Sequence, residues 1–127
     1  MSLLYTSFDS FIIKHQLELT IEDWNDISKK YELSVDMMRI FQNKLNWRFI
    51  AEYQNLSISF IREFIEYQLG PYMTVLCRYQ YLDEDFIRNY KNKVDWDLLL
   101  KHQHLSTEFI LEHAEDIKLS RGMDTVE

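Results

Sequence analysis

The chain has 127 residues and a formal charge of −7; it is 46% hydrophobic and 15% aromatic, with only two Gly, one Pro and one Cys. That length suits one domain whose core needs neither metal nor disulfide, and so few turn-formers exclude a sandwich or barrel, which needs a turn signal every ~8–12 residues. The acidity disfavours direct nucleic-acid binding, lone Cys77 fits a reducing, cytoplasmic setting, and no apolar run nears the roughly 18 residues of a membrane span.

In chain order, residues 5–20, with Phe8, Phe11, Ile12 and Ile13, read as an N-terminal capping helix. One two-helix unit then recurs over 23–45, 46–69, 70–94 and 95–117, and such a period is the signature of a repeat architecture. Asp23-Trp24, Asn46-Trp47 and Asp95-Trp96 mark one position, and Met73 fills the Trp slot of the third copy. The slots are spaced 23, 26 and 23 residues apart, with the extra length around Gln68–Pro71.

Asp23, Asn46 and Asp95 are good N-cap residues for a first helix opening on Trp. Ile27, Ile50, Leu76 and Leu99 follow three positions on, and Tyr31, Gln54, Gln80 and Gln103 seven on, all on one helical face. The second helix starts at caps Ser34, Ser57, Asp83 and Ser106. Leu33, Leu56, Leu82 and Leu105 precede these caps and pair with Met38, Ile61, Ile87 and Ile110 as a hydrophobic staple. Phe60, Phe86 and Phe109, with Met37 in the first copy, continue the core stripe, as do Phe41, Phe64, Tyr90 and His113. Helices this short are marginal alone, and one pair cannot bury its own apolar face. Stacked neighbours can, so the expected fold is all-α: a short α-solenoid of about four two-helix repeats behind an N-terminal capping helix. The pattern stops after Ile117, and 118–127 reads as a flexible tail.

Groups that could carry chemistry have structural roles nearer to hand. His102 and His104 are two residues apart and cannot share a helix face, while His113 occupies an aromatic packing slot. Acids such as Asp36, Asp85 and Glu108 lie in first turns, where the helix dipole favours them. Cys77 shares its slot with Ser28, Ala51 and Leu100, which points to a packed thiol at a close helix contact. Gly70-Pro71 is a helix stop and restart, since one Gly cannot build a phosphate cradle. Gln54, Gln80 and Gln103 read as bonds to the backbone of neighbouring repeats. Arg39, Arg62 and Arg88 recur at one slot and read as solvated helix-face pairs. Tyr72, Tyr79 and Tyr81 lack the basic surroundings of a base-stacking platform, with only Arg78 and Arg88 near, and read as core or partner contacts. No enzyme activity, cofactor or metal is expected.

The string Asp-Trp-x-x-Leu, then Gln-x-Leu-Ser-x-x-Phe-Ile, is complete over residues 95–110. It resembles the short helical repeats of proteins from large DNA viruses and some phages, and the resemblance covers residues 23–117. It implies a repeat type and no catalytic residues; the first copy departs from it at Met37-Met38 and Tyr31, and the third at Met73. A viral or phage origin, and with it a host-directed binding protein, is what the resemblance implies.

The expected function is a non-enzymatic protein–protein interaction module, since solenoids generally act by binding. Off-pattern apolar residues at slots that should face water, namely Ile40, Phe49, Ile65, Tyr81 and Leu98, are the candidate partner contacts. Two alternatives stand beside it: an acidic decoy that blocks a nucleic-acid-binding protein, and a self-assembling protein whose aromatic N-terminal segment supports a homodimer.

Overall fold

The structure, a computed structural model, describes residues 7–120 and 122. Among these, ten α-helices and two 3-10 turns account for the regular structure, and no strand occurs. The protein is therefore all-helical. No described helix is long and apolar enough to cross a membrane.

The chain divides into two compact units, the first ending at Gln54 and the second beginning at Asn55. The division falls inside the 46–69 copy. The first unit holds α1 (Ser7–His15), a 3-10 turn (Gln16–Glu18), α2 (Ile21–Lys30), α3 (Val35–Ile40) and α4 (Trp47–Tyr53). The second holds α5 (Ile58–Phe64), a 3-10 turn (Gly70–Tyr72), α6 (Met73–Tyr79), α7 (Glu84–Asn89), α8 (Trp96–His102), α9 (Thr107–Glu112) and α10 (Ala114–Ser120).

Caps set the second helix of every copy. Ser34, Ser57, Asp83 and Ser106 accept the N–H of Met37, Phe60, Phe86 and Phe109 at 2.8–3.1 Å, which satisfies one otherwise orphaned donor in each. The staple partners Leu33 and Met38, Leu56 and Ile61, and Leu82 and Ile87 are buried, while Leu105 and Ile110 are half-buried. First helices open as the spacing predicts at Asn46 and Asp95, whose side chains accept from Phe49 and Leu98 N–H at 3.1 Å.

In the first copy the helix starts earlier than Asp23. Thr20 is the N-cap and Asp23 is its reciprocal partner in a capping box, with bonds of 3.1 and 2.9 Å. Trp24 is thereby carried into the second turn of α2. The third copy has no side-chain cap: Pro71 pre-sets the turn and Tyr72 leads into α6. Gly70 is required by close approach there, because a Cβ would lie 2.8 Å from the Ile65 carbonyl oxygen.

The Trp slot is core throughout: Trp24, Trp47, Met73 and Trp96 are all buried, as are Phe60, Phe86 and Phe109. The indole N–H of Trp47 donates to the Gln42 carbonyl at 2.8 Å, and that of Trp96 to Lys91 at 3.2 Å. Among the described residues Trp24 has no such partner, because a 3-10 turn and the extended Leu19 precede α2 where a full helical copy precedes the others.

Both chain ends depart from expectation. The N-terminal helix stops at His15 and gives way to the 3-10 turn, with Phe8 stacked on Tyr31 at 4.4 Å; residues 5 and 6 lie outside the described residues. At the other end, Lys118–Ser120 are helical within α10 and not tail. Lys118 stands where Asn46 and Asp95 cap the earlier copies, so nothing redirects the chain and the helix runs on. Residues 121 and 123–127 lie outside the described residues.

Candidate binding surface

The first helices of adjacent copies pack on each other, α2 against α4 in the first unit and α6 against α8 in the second. Each joint is closed by a glutamine that caps the C-terminus of the incoming helix. In the first unit Gln54 Oε1 accepts the Leu33 N–H at 3.1 Å, and its Nε2 donates to the Ser28 and Tyr31 carbonyls at 2.9 and 2.7 Å. In the second, Gln103 Oε1 accepts the Leu82 N–H at 3.0 Å, and Nε2 donates to the Cys77 and Gln80 carbonyls at 3.2 and 2.7 Å. Gln80 Oε1 likewise accepts the Leu56 N–H at 3.1 Å. A carboxamide is the side chain that can accept once and donate twice in such a fork. The carbonyls it meets are those a helix end leaves without an intrahelical donor.

The small slot supports the joint. Ser28 Oγ accepts the Asn46 N–H at 2.9 Å and donates to the Trp24 carbonyl at 2.8 Å. Cys77 takes this place in the second unit and is fully buried. Burial pushes its thiol up to about 11, with a main-chain bond from Asp95 opposing the shift. A thiol so protonated is a packing group and a poor nucleophile.

The arginine slot does more than pair along its own helix. Arg39 meets Asp36 at 3.7 Å within α3, but Arg62 of α5 reaches Asn89 and Asp83 at 3.1 and 3.7 Å and lies 5.5 Å over the Phe86 ring. Arg88 of α7 forks onto Glu112 of α9 at 3.1 and 3.2 Å, keeps Asp85 at 2.9 Å, and lies 5.0 Å over Phe109. The hydrogen bond from Arg88 holds the Glu112 carboxyl below its ordinary value. The Tyr90 phenol, which donates to Glu66 at 3.0 Å, is shifted up by desolvation first and by that carboxylate second.

The candidate contact residues differ in exposure, two belonging to the first unit and three to the second. Ile40 and Tyr81 are exposed, at 52% and 66%, on the end of α3 and in the α6–α7 loop. Phe49 and Leu98 are half-buried at one shared slot, on α4 and α8. Ile65 is not a surface residue: it is 4% exposed, because the chain does not leave at the end of α5 but turns on helically through Ile65 toward buried Leu69.

Of the tyrosines four positions after the Phe49 slot, Tyr79 stands among the tyrosines read as core or partner contacts, whereas Tyr53 was missed from the sequence. Tyr53 and Tyr79 are exposed at the ends of α4 and α6. Phe49 and Tyr53 meet edge to face at 5.9 Å beneath Lys29 Nζ, 5.5 and 5.3 Å from the two rings. In the second unit the equivalent pairs are Val75 with Tyr79, the latter under the Arg78 guanidinium at 5.3 Å, and Leu98 with His102. The signal was present: an i, i+4 pair falling off the core stripe in three copies. The first copy holds the ion pair Asp26–Lys30 there instead.

An open groove of about 270 Å³ lies in the first unit between α1 and α2, lined by Phe8, Phe11, Leu19, Ile27 and Tyr31 with Asp23 and Asp26 at its walls. His113 is buried as a packing residue, 5.3 Å from the Trp96 ring and 4.4 Å from Phe109, and its Nδ1 lies 2.9 Å from Asp116. Among the described residues no three His, Cys, Asp or Glu are grouped to hold a metal ion. Comparison with known proteins adds no relative: no family model, curated protein or solved structure matches the chain.

Proposed function

We propose that this protein is a non-enzymatic protein–protein interaction module whose helical copies stack as a short α-solenoid. The observation that carries the reading is an i, i+4 pair on the first helices that falls off the buried stripe and is half-buried or exposed. Phe49 and Tyr53 offer two aromatic faces and a cation in the first unit, and Val75, Tyr79, Leu98 and His102 offer a mixed apolar edge on contacting helices α6 and α8 in the second. Aromatic side chains bring large contact area at small entropic cost and are enriched at the centres of interfaces. A cytoplasmic setting and a host-directed role belong to the same proposal, the latter resting on the resemblance of the repeat alone.

The acidic decoy has less support. Asp26, Asp36, Asp85 and Glu112 each stand beside Lys30, Arg39 or Arg88, so these carboxylates are interleaved with cations. A decoy needs acids of one sign gathered on one face.

Affinity capture from nuclease-treated lysate, with the wild-type chain and the Phe49→Ala/Tyr53→Ala and Tyr79→Ala/Leu98→Ala variants as bait, tests the reading. The proposal expects one stoichiometric partner that survives about 300 mM salt and is lost from one variant. Capture that vanishes with salt and ignores both variants would favour the decoy. A chain that captures nothing but itself would sink the module in favour of self-assembly.

A further inference from the structure

Charge in the second unit is sorted between the two kinds of helix. Second helices α7 and α9 carry Glu84, Asp85, Glu108 and Glu112 against one cation, Arg88, which is itself paired with Asp85 and Glu112. In α5, Arg62 is balanced by Glu63. First helices have the opposite sign. Helix α6 holds Arg78 and no acid. Helix α8 holds Lys101 and His102, and its one acid, Asp97, lies in the first turn, where the helix dipole favours it.

Arg78 and Lys101 stand at one slot, three positions after Val75 and Leu98 and one before Tyr79 and His102. Among the described residues neither takes part in an ion pair, whereas Arg62, Arg88 and Lys118 of the same unit each do. The Arg78 guanidinium lies instead 5.3 Å over the Tyr79 ring, a contact through its face that uses none of its N–H donors. Both cations, Tyr79 and His102 are exposed, while Val75 and Leu98 are half-buried. Helix α6 packs on α8, so the same set of an apolar residue, a cation and a ring occurs on two helices in contact. In a chain with a net charge of −7, unpaired cations set among apolar side chains run against the general composition.

We infer that this edge of α6 and α8 binds an acidic peptide segment of a partner protein, one that also bears aromatic or aliphatic side chains. Its carboxylates meet Arg78 and Lys101, and its apolar groups meet the Val75–Tyr79 and Leu98–His102 pairs. Resting on the interaction-module reading, this assignment names the partner's chemistry. Complementary charge selects the partner and speeds the encounter, and the apolar and ring contacts supply the buried area. A guanidinium already held against a ring is ready to fork onto a carboxylate. A nucleic-acid strand, charged along its whole length, is repelled by the net charge of the protein. A short segment with a few acids meets mainly the local cations, because fields beyond about 8–10 Å are screened.

Selection from a library of short random displayed peptides, with the full chain as bait, reads the preferred chemistry directly. Enriched sequences are expected to carry net negative charge and at least one aromatic or aliphatic anchor. The leading sequence, made as a labelled peptide and followed by fluorescence anisotropy, should bind Arg78→Gln/Lys101→Gln at least about tenfold more weakly than the wild-type chain. Lys14→Gln/Lys44→Gln removes the same charge from exposed positions of the first unit and should change the affinity by less than about twofold. Both variants should keep their helix content by circular dichroism, since all four side chains are exposed. No enrichment, enrichment of neutral or basic peptides, or equal losses in the two variants overturns the inference. An oligonucleotide that binds more tightly than the peptide and is lost from Arg78→Gln/Lys101→Gln overturns the choice of occupant in favour of nucleic acid. Peptide affinity that rises at least about tenfold in Asp124→Asn/Glu127→Gln overturns it in favour of the chain's own C-terminal acids. A lysate partner lost from Tyr79→Ala/Leu98→Ala, alongside selected peptides that are not acidic, leaves the interaction module standing and removes this chemistry. Acidic peptides bound through Arg78 and Lys101 with nothing captured from lysate do the reverse.

Discussion

The joint in the first unit and that between α6 and α8 in the second use the same main-chain groups with different side chains around them. Gln54 and Gln103 each accept one N–H and donate to two carbonyls. The supporting residue is Ser28 in one and Cys77 in the other, and the helix cap facing it is Asn46 or Asp95. Gln54 is buried whereas Gln103 is half-buried. The same carboxamide fork is thus kept with Ser28 and Asn46 in one joint and with Cys77 and Asp95 in the other. The recurring element is a polar contact, and the apolar Trp slot beside it provides the energy.

That division of labour can be broken in order of size. The largest effect belongs to the Trp slot: Trp47→Ala and Trp96→Ala should each cost about 3–5 kcal/mol in chemical denaturation, because both rings are buried and both indole N–H groups are bonded. An unchanged midpoint would mean that the slot is not core. Glutamine comes next. Gln54→Ala leaves one N–H and two carbonyls without a partner in a buried setting, and should cost about 2–4 kcal/mol; Gln103→Ala, where water can reach, about 1–3. Equal losses would show that the difference in exposure between the joints has no energetic weight.

The smallest effect separates Cys77 from Ser28. A thiol raised to about 11 from 9.0 contributes stability that is complete below pH 9 and is lost as pH rises toward 11, since the folded state resists deprotonation. Thermal melts should therefore fall over that window in the wild-type chain and fall less in Cys77→Ser. Labelling of the native thiol at pH 8 should be far slower than labelling of the unfolded chain. Rapid native labelling would mean that the joint opens readily.

Much of this was legible in the sequence because it repeats. Four Leu-then-cap steps placed the second helices, and three glutamines at one slot announced a bond to the neighbouring backbone. What escaped notice lay where the repeat is imperfect. Thr20-x-x-Asp23 is itself a capping box one turn upstream, and it outcompetes the Asp-Trp start that holds for Asp95. Lys118 in place of a cap lets α10 continue. Ile65 sits in the copy with the extra residues, where an inserted helical turn folds it inward. Exposed Tyr53 falls off the core stripe, and its spacing from Phe49, matched by that of Tyr79 from Val75, marks a second face.

The most direct test of the glutamine joint as the organising element is amide hydrogen exchange at the four leucines that precede the second-helix caps. The account predicts that Leu33, Leu56 and Leu82, each bonded to a glutamine Oε1, exchange slowly, with protection falling together when Gln54, Gln80 or Gln103 is replaced by Ala. Leu105 should exchange quickly in the native chain. Four equally protected amides, or protection indifferent to the glutamines, would contradict it.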